Sequence, residues 1–380
     1  MKVSHVMFMS EMPGIYPFSG LENHLMVLLP ALRRQGVDVE FIVLTWNVGP
    51  EMSARLTELE AQGVIITILP CNPKRQWRWL GLRRLEQAAR LKGLLAQRRD
   101  RIIHFHTDLV LTGLTMWIAR CPQVVVSIHN DDPWLLNRSW RLWLRWMDRF
   151  ISHYIAISEQ VRRHWLAASG AAPNKVSKVY YGLDVKPVIP TSQTIRSRYQ
   201  IPTDHFVVGF VGRLAPQKNV PLLIAALKQL PNVHGVIVGD GELRPDLEAL
   251  VRNGGMENVQ FLGRQPNAAE IMPAFDVLCL PSRFEGLGLV LVEAMMRRVA
   301  IIGSRAGAIP EILGEGEFGL LFEPDDLAGL VRAIQFVQQE RARVADMVER
   351  AFQYAQRTFG VEAMVKQTLE VYRRVQADEQ

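Results

Sequence analysis

Short apolar runs alternate with longer amphipathic segments along this chain, and the series occurs twice. Runs at 3–9, 38–44, 64–69, 101–106, 123–128, 153–157 and 176–180 have the length and composition of buried strands. Helical patterns occupy 21–35, 79–98, 109–119, 134–149 and 159–168. Such alternation builds a mostly parallel sheet with helices on both faces. A Pro-, Ser- and Thr-containing stretch, Lys186 to Ser192, then reads as a linker. The series restarts with strands near 206–212, 233–238, 258–262, 276–280 and 299–303, and the chain from 325 to 377 is helical by pattern. The expected fold is α/β, with two Rossmann-like doubly wound domains facing across a cleft. The boundaries fall at 1–188 and 189–357, with 358–380 left as a terminal helix.

The 380 residues suffice for two cores. No run of 18 or more apolar residues occurs, so no membrane-spanning helix is expected. The apolar stretch from Met1 to Met9 is short and interrupted, and Glu11 follows without a convincing cleavage site. It reads as a first strand rather than a leader. Cys71, Cys121 and Cys279 are scattered and odd in number, which argues against a disulfide framework or a cysteine metal cluster. A cytoplasmic protein is expected.

Charge and tryptophan are unevenly spread. Residues 1–185 hold 23 Lys+Arg against 15 Asp+Glu, leaving 21 against 23 for the remainder, and all nine tryptophans lie between Trp46 and Trp165. The two halves therefore present different surfaces. Residues 74–101 carry ten Lys/Arg and two acids. In 134–149, Arg138, Arg141, Arg145 and Arg149 recur at helical spacing, beside a second stripe of Trp140, Trp143, Leu144 and Met147. This is either a solvated face over a packed core or a face that lies on anionic lipid. Nucleic acid is not the expected partner, because no binding motif accompanies the basic charge.

The most informative chemical segment runs from Pro281 to Glu293. The apolar run Asp276–Leu280 precedes it, so it reads as strand, Gly-x-Gly turn, then a helix beginning near Gly288. The first turn of a helix offers unpaired amides and the positive end of the dipole to an anion. Glu285 and Glu293 stand eight positions apart around that turn. An anion repels carboxylates, so they suit the hydroxyls flanking one. Diphosphate between ribose and hexose describes a nucleotide sugar.

That segment resembles the paired-glutamate signature of retaining GT-B glycosyltransferases of the large bacterial group 1 type, and further elements match in order through almost the whole chain. Val211 to Asn219 resembles the family's Gly-Arg-Leu…Lys-Gly element, with Arg213 and Lys218 on the donor diphosphate; Asn219 stands for the usual Gly. Val238-Gly239-Asp240-Gly241 matches a turn near the base. Arg264 lies in the loop whose backbone reads the base. Phe18 to Glu22 resembles the element whose amides approach the diphosphate, and Gly20 is its carry-over; a plain N-cap by Ser19 explains the same residues. His129 matches a histidine near the anomeric centre, His106 the family's His-x-His strand, and Ser158 a strand-to-helix contact that also suits an N-cap. Gly307-Ala308-Ile309-Pro310-Glu311 completes the set, with Glu311 expected to be structural. The pattern departs at Tyr181, where the family has Asn, at Ala300, where it has Pro, and at Arg298, where it has Gly; a left-handed arginine there costs about 1 kcal/mol.

The resemblance implies a metal-independent hexosyltransferase without cofactor. Its catalytic group would be Arg213, Lys218, Glu285 and His129. Gly20, Gly212, Gly239, Arg264, Glu285, Gly286, Leu287, Gly288, Leu289 and Glu293 would join Arg213 and Lys218 in holding the donor. Glu293 would take the ribose and Glu285 the sugar. The acceptor would be a glycan or lipid-linked hydroxyl in envelope or exopolysaccharide synthesis, and the terminal helix would return to the first domain. The rivals are a nucleotide-sugar epimerase or a phosphorylase on the same fold, or a non-catalytic nucleotide-sugar-binding membrane scaffold.

Overall fold

The computed structural model describes residues 1–9, 20–45, 47–70, 80–106, 109–130, 133–184 and 191–377. The linker stretch, Ser19 and the start of the 74–101 basic segment lie largely outside them. The chain divides into two compact units, Met1–Gly182 with Val361–Gln380, and Leu183–Gly360.

The first unit holds strands β1 (Lys2–Phe8), β2 (Asp38–Thr45), β3 (Ile65–Pro70), β4 (Ile102–Phe105), β5 (Val124–Ile128), β6 (His153–Ala156) and β7 (Val176–Lys178). They form one parallel sheet in the order β3-β2-β1-β4-β5-β6-β7. Its helices are α1 (Gly20–Arg34), α2 (Pro50–Ala61), α3 (Leu80–Leu95), α4 (Leu109–Ala119), α5 (Arg138–Met147) and α6 (Glu159–Ser169). The helix α2 carries a weak apolar stripe, only Met52, Leu56 and Leu59 buried, which is why the sequence pattern passes over it. Central strands such as Val124–Ile128 are buried along their whole length, as both faces are covered. At the edge, β3 alternates instead and ends on Pro70, a residue that edge strands tolerate. Ser158 caps α6 by accepting from the Val161 amide at 3.1 Å.

The second unit continues with β8 (Phe206–Val211), β9 (Val233–Val238), β10 (Val259–Gly263), β11 (Val277–Leu280), β12 (Ala300–Ser304) and β13 (Leu320–Phe322), in the parallel order β10-β9-β8-β11-β12-β13. Three-residue β13 is too short to read from pattern. The helices are α7 (Ser192–Arg198), α8 (Val220–Lys228), α9 (Arg244–Asn253), α10 (Leu289–Met295), α11 (Ile309–Ile312), α12 (Leu327–Gln339) and α13 (Arg341–Thr358). The helical tract expected over 325–377 is thus three helices, the last being α14 (Val361–Ala377). That helix buries Met364, Val365, Val371, Tyr372 and Val375 in the first unit's core with Val3, Leu25 and Val125. Among the described residues no helix is long and apolar enough to cross a membrane.

Candidate functional site

The second unit collects its charged candidates where strands end. β8 runs into Gly212, whose amide donates to Val238 O at 3.0 Å, and the Gly239 amide donates to Gly263 O at 2.8 Å. Three loops therefore lie backbone against backbone. A Cβ on Gly239 would stand 1.9 Å from Gly212 O, so only glycine fits that turn. Arg213, next in line, is exposed and has no ion pair among the described residues. Arg264 is also exposed, at the end of the β10 loop.

After Arg213 the chain makes a single 3₁₀ turn, Pro216–Lys218, and Asn219 closes it in the left-handed region at φ 50°. Asparagine tolerates that backbone, which accounts for its replacing glycine. Its buried side-chain amide donates to Asp325 Oδ1 at 2.9 Å, and Arg283 pairs with the same carboxylate at 3.0 Å. The turn brings Lys218 Nζ to 2.5 Å from Glu285 Oε2, with side chains only 16% and 12% exposed. Sequence reasoning assigned both residues but not their pairing.

The Glu285 loop is held from three sides. Arg283 N donates to Gln217 O at 2.8 Å and the Gln217 side-chain amide to Phe284 O at 2.9 Å. Ala308 N donates to Glu285 O at 2.8 Å. Gly307 adopts φ +56°, and a Cβ there would lie 2.2 Å from Glu285 O. In the Gly-Ala-Ile-Pro-Glu element it is therefore the glycine that serves the site, by backing the Glu285 backbone. Ser304 donates to Ser282 O, and the Ser282 hydroxyl reaches toward Glu285 Oε2 at 3.4 Å.

Gly288 then turns left-handed at φ 78° and caps α10, with no side chain bonded to that helix's first amides. Glu293 lies one and a half turns in. Burial pushes its carboxyl up to about 7, with Arg297 pulling the other way. Arg297 turns its Nη1 to Glu293 O at 3.1 Å and leaves Nε buried without a partner. Arg298 adopts φ 55°, as its place in the sequence suggested, and lies over the Phe352 ring while pairing with Glu349 at 2.8 Å. This packing offsets the backbone strain.

In the first unit, the strand-end histidines belong to a larger buried network. His5 Nδ1 and His106 Nε2 are 3.0 Å apart; His104 reaches Tyr372 Oη at 2.7 Å and Ser127 Oγ at 2.8 Å. The candidate ligand atoms of His5, His104 and His106 lie within 4.8 Å of one another, a grouping that could hold a metal ion and that the sequence did not reveal, since His5 comes from another strand. These hydrogen bonds already engage several of the ring nitrogens. Burial depresses all three rings, His5 to about 3, so they are neutral at physiological pH.

His129 is held separately. Tyr181, the residue that replaces the family asparagine, hydrogen-bonds His129 Nδ1 and stacks on His24 at 3.8 Å between ring centroids. Burial raises the Tyr181 phenol and lowers His129 to about 3, so both are neutral. Among the described residues no other partner takes the phenolic proton, so Tyr181 donates to Nδ1 and the His129 proton sits on Nε2. That Nε2–H is buried and has no acceptor among the described residues. Gly20 opens α1, exposed at its first position.

Comparison with known proteins finds matches to both parts of the chain. A family model described as "Glycosyl transferases group 1" matches residues 191–354, and one described as "Glycosyltransferase Family 4" matches residues 18–186. The D-inositol 3-phosphate glycosyltransferase of Kineococcus radiotolerans is 31% identical, over 96% of this chain and 93% of its own. Sulfoquinovosyl transferase SQD2 of Arabidopsis thaliana is 27% identical over 88% of this chain, and the match spans 66% of that longer protein. The crystal structure of Anabaena HepE in complex with UDP and glucose superposes with a TM-score of 0.79 over 97% of this chain and 98% of its own, at 24% identity. The two family models and a relative 31% identical over nearly the whole of both chains place the chain among the group 1 glycosyltransferases, nucleotide-sugar-dependent enzymes of the GT-B fold.

Proposed function

We propose that this protein transfers a hexose from a UDP- or GDP-sugar to a hydroxyl of a glycan or lipid-linked acceptor, with retention at the anomeric carbon, in the synthesis of envelope or extracellular glycan. The observation that carries the reading is the Lys218–Glu285 pair, set beside unpaired Arg213 and the uncapped start of α10. Lys218 and Arg213 face the diphosphate and neutralise charge that grows on the leaving group. Amides from Gly286 to Leu289 add to this. Glu285 accepts from sugar hydroxyls and Glu293 from the ribose. The backbone at Gly212, Gly239 and Arg264 lies along the nucleoside. In the first unit, Gly20 and His129 keep the donor role that the family resemblance gives them, and His129 offers a neutral Nε2–H. The first unit takes the acceptor.

The Arg213 and Lys218 side chains do the work that a divalent ion does elsewhere, so no metal is required. The UDP and glucose held in the HepE crystal structure support a uridine donor. The basic, aromatic helix α5 supports a peripheral placement on the inner membrane face, close to a lipid-linked acceptor.

Thermal-shift titration with UDP, GDP and ADP identifies the base, since at equal concentration the tighter-binding nucleotide stabilises the folded state more. Product analysis with each nucleotide sugar and a hydroxyl acceptor then reads transfer. Epimerised donor with no transferred sugar would overturn the reading, as would unchanged activity in Arg213→Ala, Lys218→Ala and Glu293→Ala together.

A further inference from the structure

The last turn of α4 is followed by Arg120 at φ 49°, its amide bonded to Met116 O at 2.9 Å. Glycine usually fills this position after a helix, because an L side chain is strained there. Strain that persists invites a functional reading. Arg120 lines a surface cleft of about 420 Å³ together with Trp117, Cys121, Arg149 and Phe150.

Neither Arg120 nor Arg149 has an acidic partner among the described residues. Nor do Arg138, Arg141 and Arg145, and the nearest acid on this stretch, Asp148, is taken by Lys175 at 2.9 Å. Some arginines elsewhere do find carboxylates, as Arg98 does with Glu40 and Arg196 with Asp276. Beside these unpaired charges stand exposed apolar groups: Trp117, Trp134, Leu136 and Leu142, the last 68% exposed. Leu144 and Met147 on the opposite face of α5 are buried. The helix thus packs through one face and leaves a mixed arginine and apolar face in water.

The cleft is not the reacting centre. Cys121 precedes β5 and Phe150 precedes β6, whereas His129 follows the far end of β5. Five residues of strand separate them, about 16 Å. A ligand here is an accessory one.

We propose that the cleft binds the phosphate of an anionic lipid headgroup through Arg120 and Arg149, with Trp117, Trp134 and Leu142 entering the interface beside it. This rests on the peripheral-membrane part of the function proposed above. Paired arginines suit phosphate oxygens, and indole beside them suits the headgroup layer. Nucleic acid would leave the exposed leucines without a role.

The test uses the full chain with vesicles of phosphatidylcholine alone and with about one-fifth phosphatidylglycerol. The variant Arg120→Asn/Arg149→Gln removes the cleft charges, with asparagine chosen because it tolerates the left-handed backbone. Arg138→Gln/Arg141→Gln removes equal charge from the exposed face of α5, outside the cleft. Each surface charge contributes about fivefold in affinity on its own, so both variants weaken binding to anionic vesicles. The expected result is a loss at least tenfold greater for the cleft variant, with melting temperature and turnover on a soluble acceptor unchanged. Equal losses would overturn the cleft site while leaving the membrane reading intact. No preference of the wild type for anionic vesicles would overturn both. Stabilisation by inorganic phosphate or RNA, lost in the cleft variant, without vesicle binding would reassign the cleft and defeat the lipid proposal.

Discussion

Single side chains carry most of the chemistry proposed for this protein. Glu293 is held by burial at a pKa of about 7, above its ordinary 4.5. Between those values the folded chain keeps a proton that the unfolded chain has lost. The stability from this group is therefore fully present below about 4.5 and is lost as pH rises through about 7. Ribose hydroxyls donate to the carboxylate and favour its ionised form, so nucleotide affinity should move the opposite way. We predict that affinity measured calorimetrically rises up to tenfold per pH unit toward 7 and levels above it. A Glu293→Gln variant should bind weakly and without that slope; an unchanged slope would remove Glu293 from the site. Lys218→Ala should lower kcat by about 10²–10³ with a smaller change in KM, as loss of a charged donor to the transition state does. Tyr181→Phe frees His129 Nδ1. Nitrogen NMR should then show the imidazole proton shared between both ring nitrogens, where the parent shows Nε2–H alone.

At the level of elements, the paired-glutamate segment was legible because a strand, a glycine turn and a helix each leave a local signature. Gly288 is left-handed and starts α10, as the Gly-x-Gly spacing implied. Arg298 and Asn219 were also readable, since a non-glycine residue at a glycine position declares its own backbone. The role of Gly307 was not readable. It depends on the Glu285 backbone lying 22 residues earlier in the chain, a distance no periodicity spans. We predict that Gly307→Ala lowers stability by roughly 2–4 kcal/mol, combining a positive-φ cost with displacement of a packed loop, and raises KM for the donor by shifting Glu285. Thermal unfolding and steady-state kinetics on one preparation check both. A variant with parental melting temperature would show that the loop moves freely.

On the scale of whole units, buried polar networks do what the hydrophobic pattern cannot specify. Glu40 sits in the first sheet, 4% exposed. Burial works to raise its pKa, but hydrogen bonds from Arg98, Ser4 and Thr67 outweigh that and draw it down to about 2. Because the folded value lies below the ordinary 4.5, its contribution is present above about 4.5 and is lost as pH falls toward 2. Arg98→Met should strand this carboxylate, costing about 3 kcal/mol or more at neutral pH by urea unfolding. The histidine trio makes a different prediction. With five of its six ring nitrogens engaged by one another, Tyr372 and Ser127, and only His106 Nδ1 left without a partner among the described residues, prolonged chelation should leave both melting temperature and transferase turnover unchanged. Loss of either would show a resident ion. The amino-acid sequence by itself determined the alternation of strands and helices, the order of the family elements and the residues with charge to offer, because these depend on neighbours within one or two turns. Tertiary structure alone decided that Lys218 meets Glu285, that Gly307 supports it, that Tyr181 orients His129, and that the arginines of α5 and its neighbouring cleft find no carboxylate among the described residues. Those facts depend on residues brought together by packing across tens of positions, and chain order carries no record of such distances.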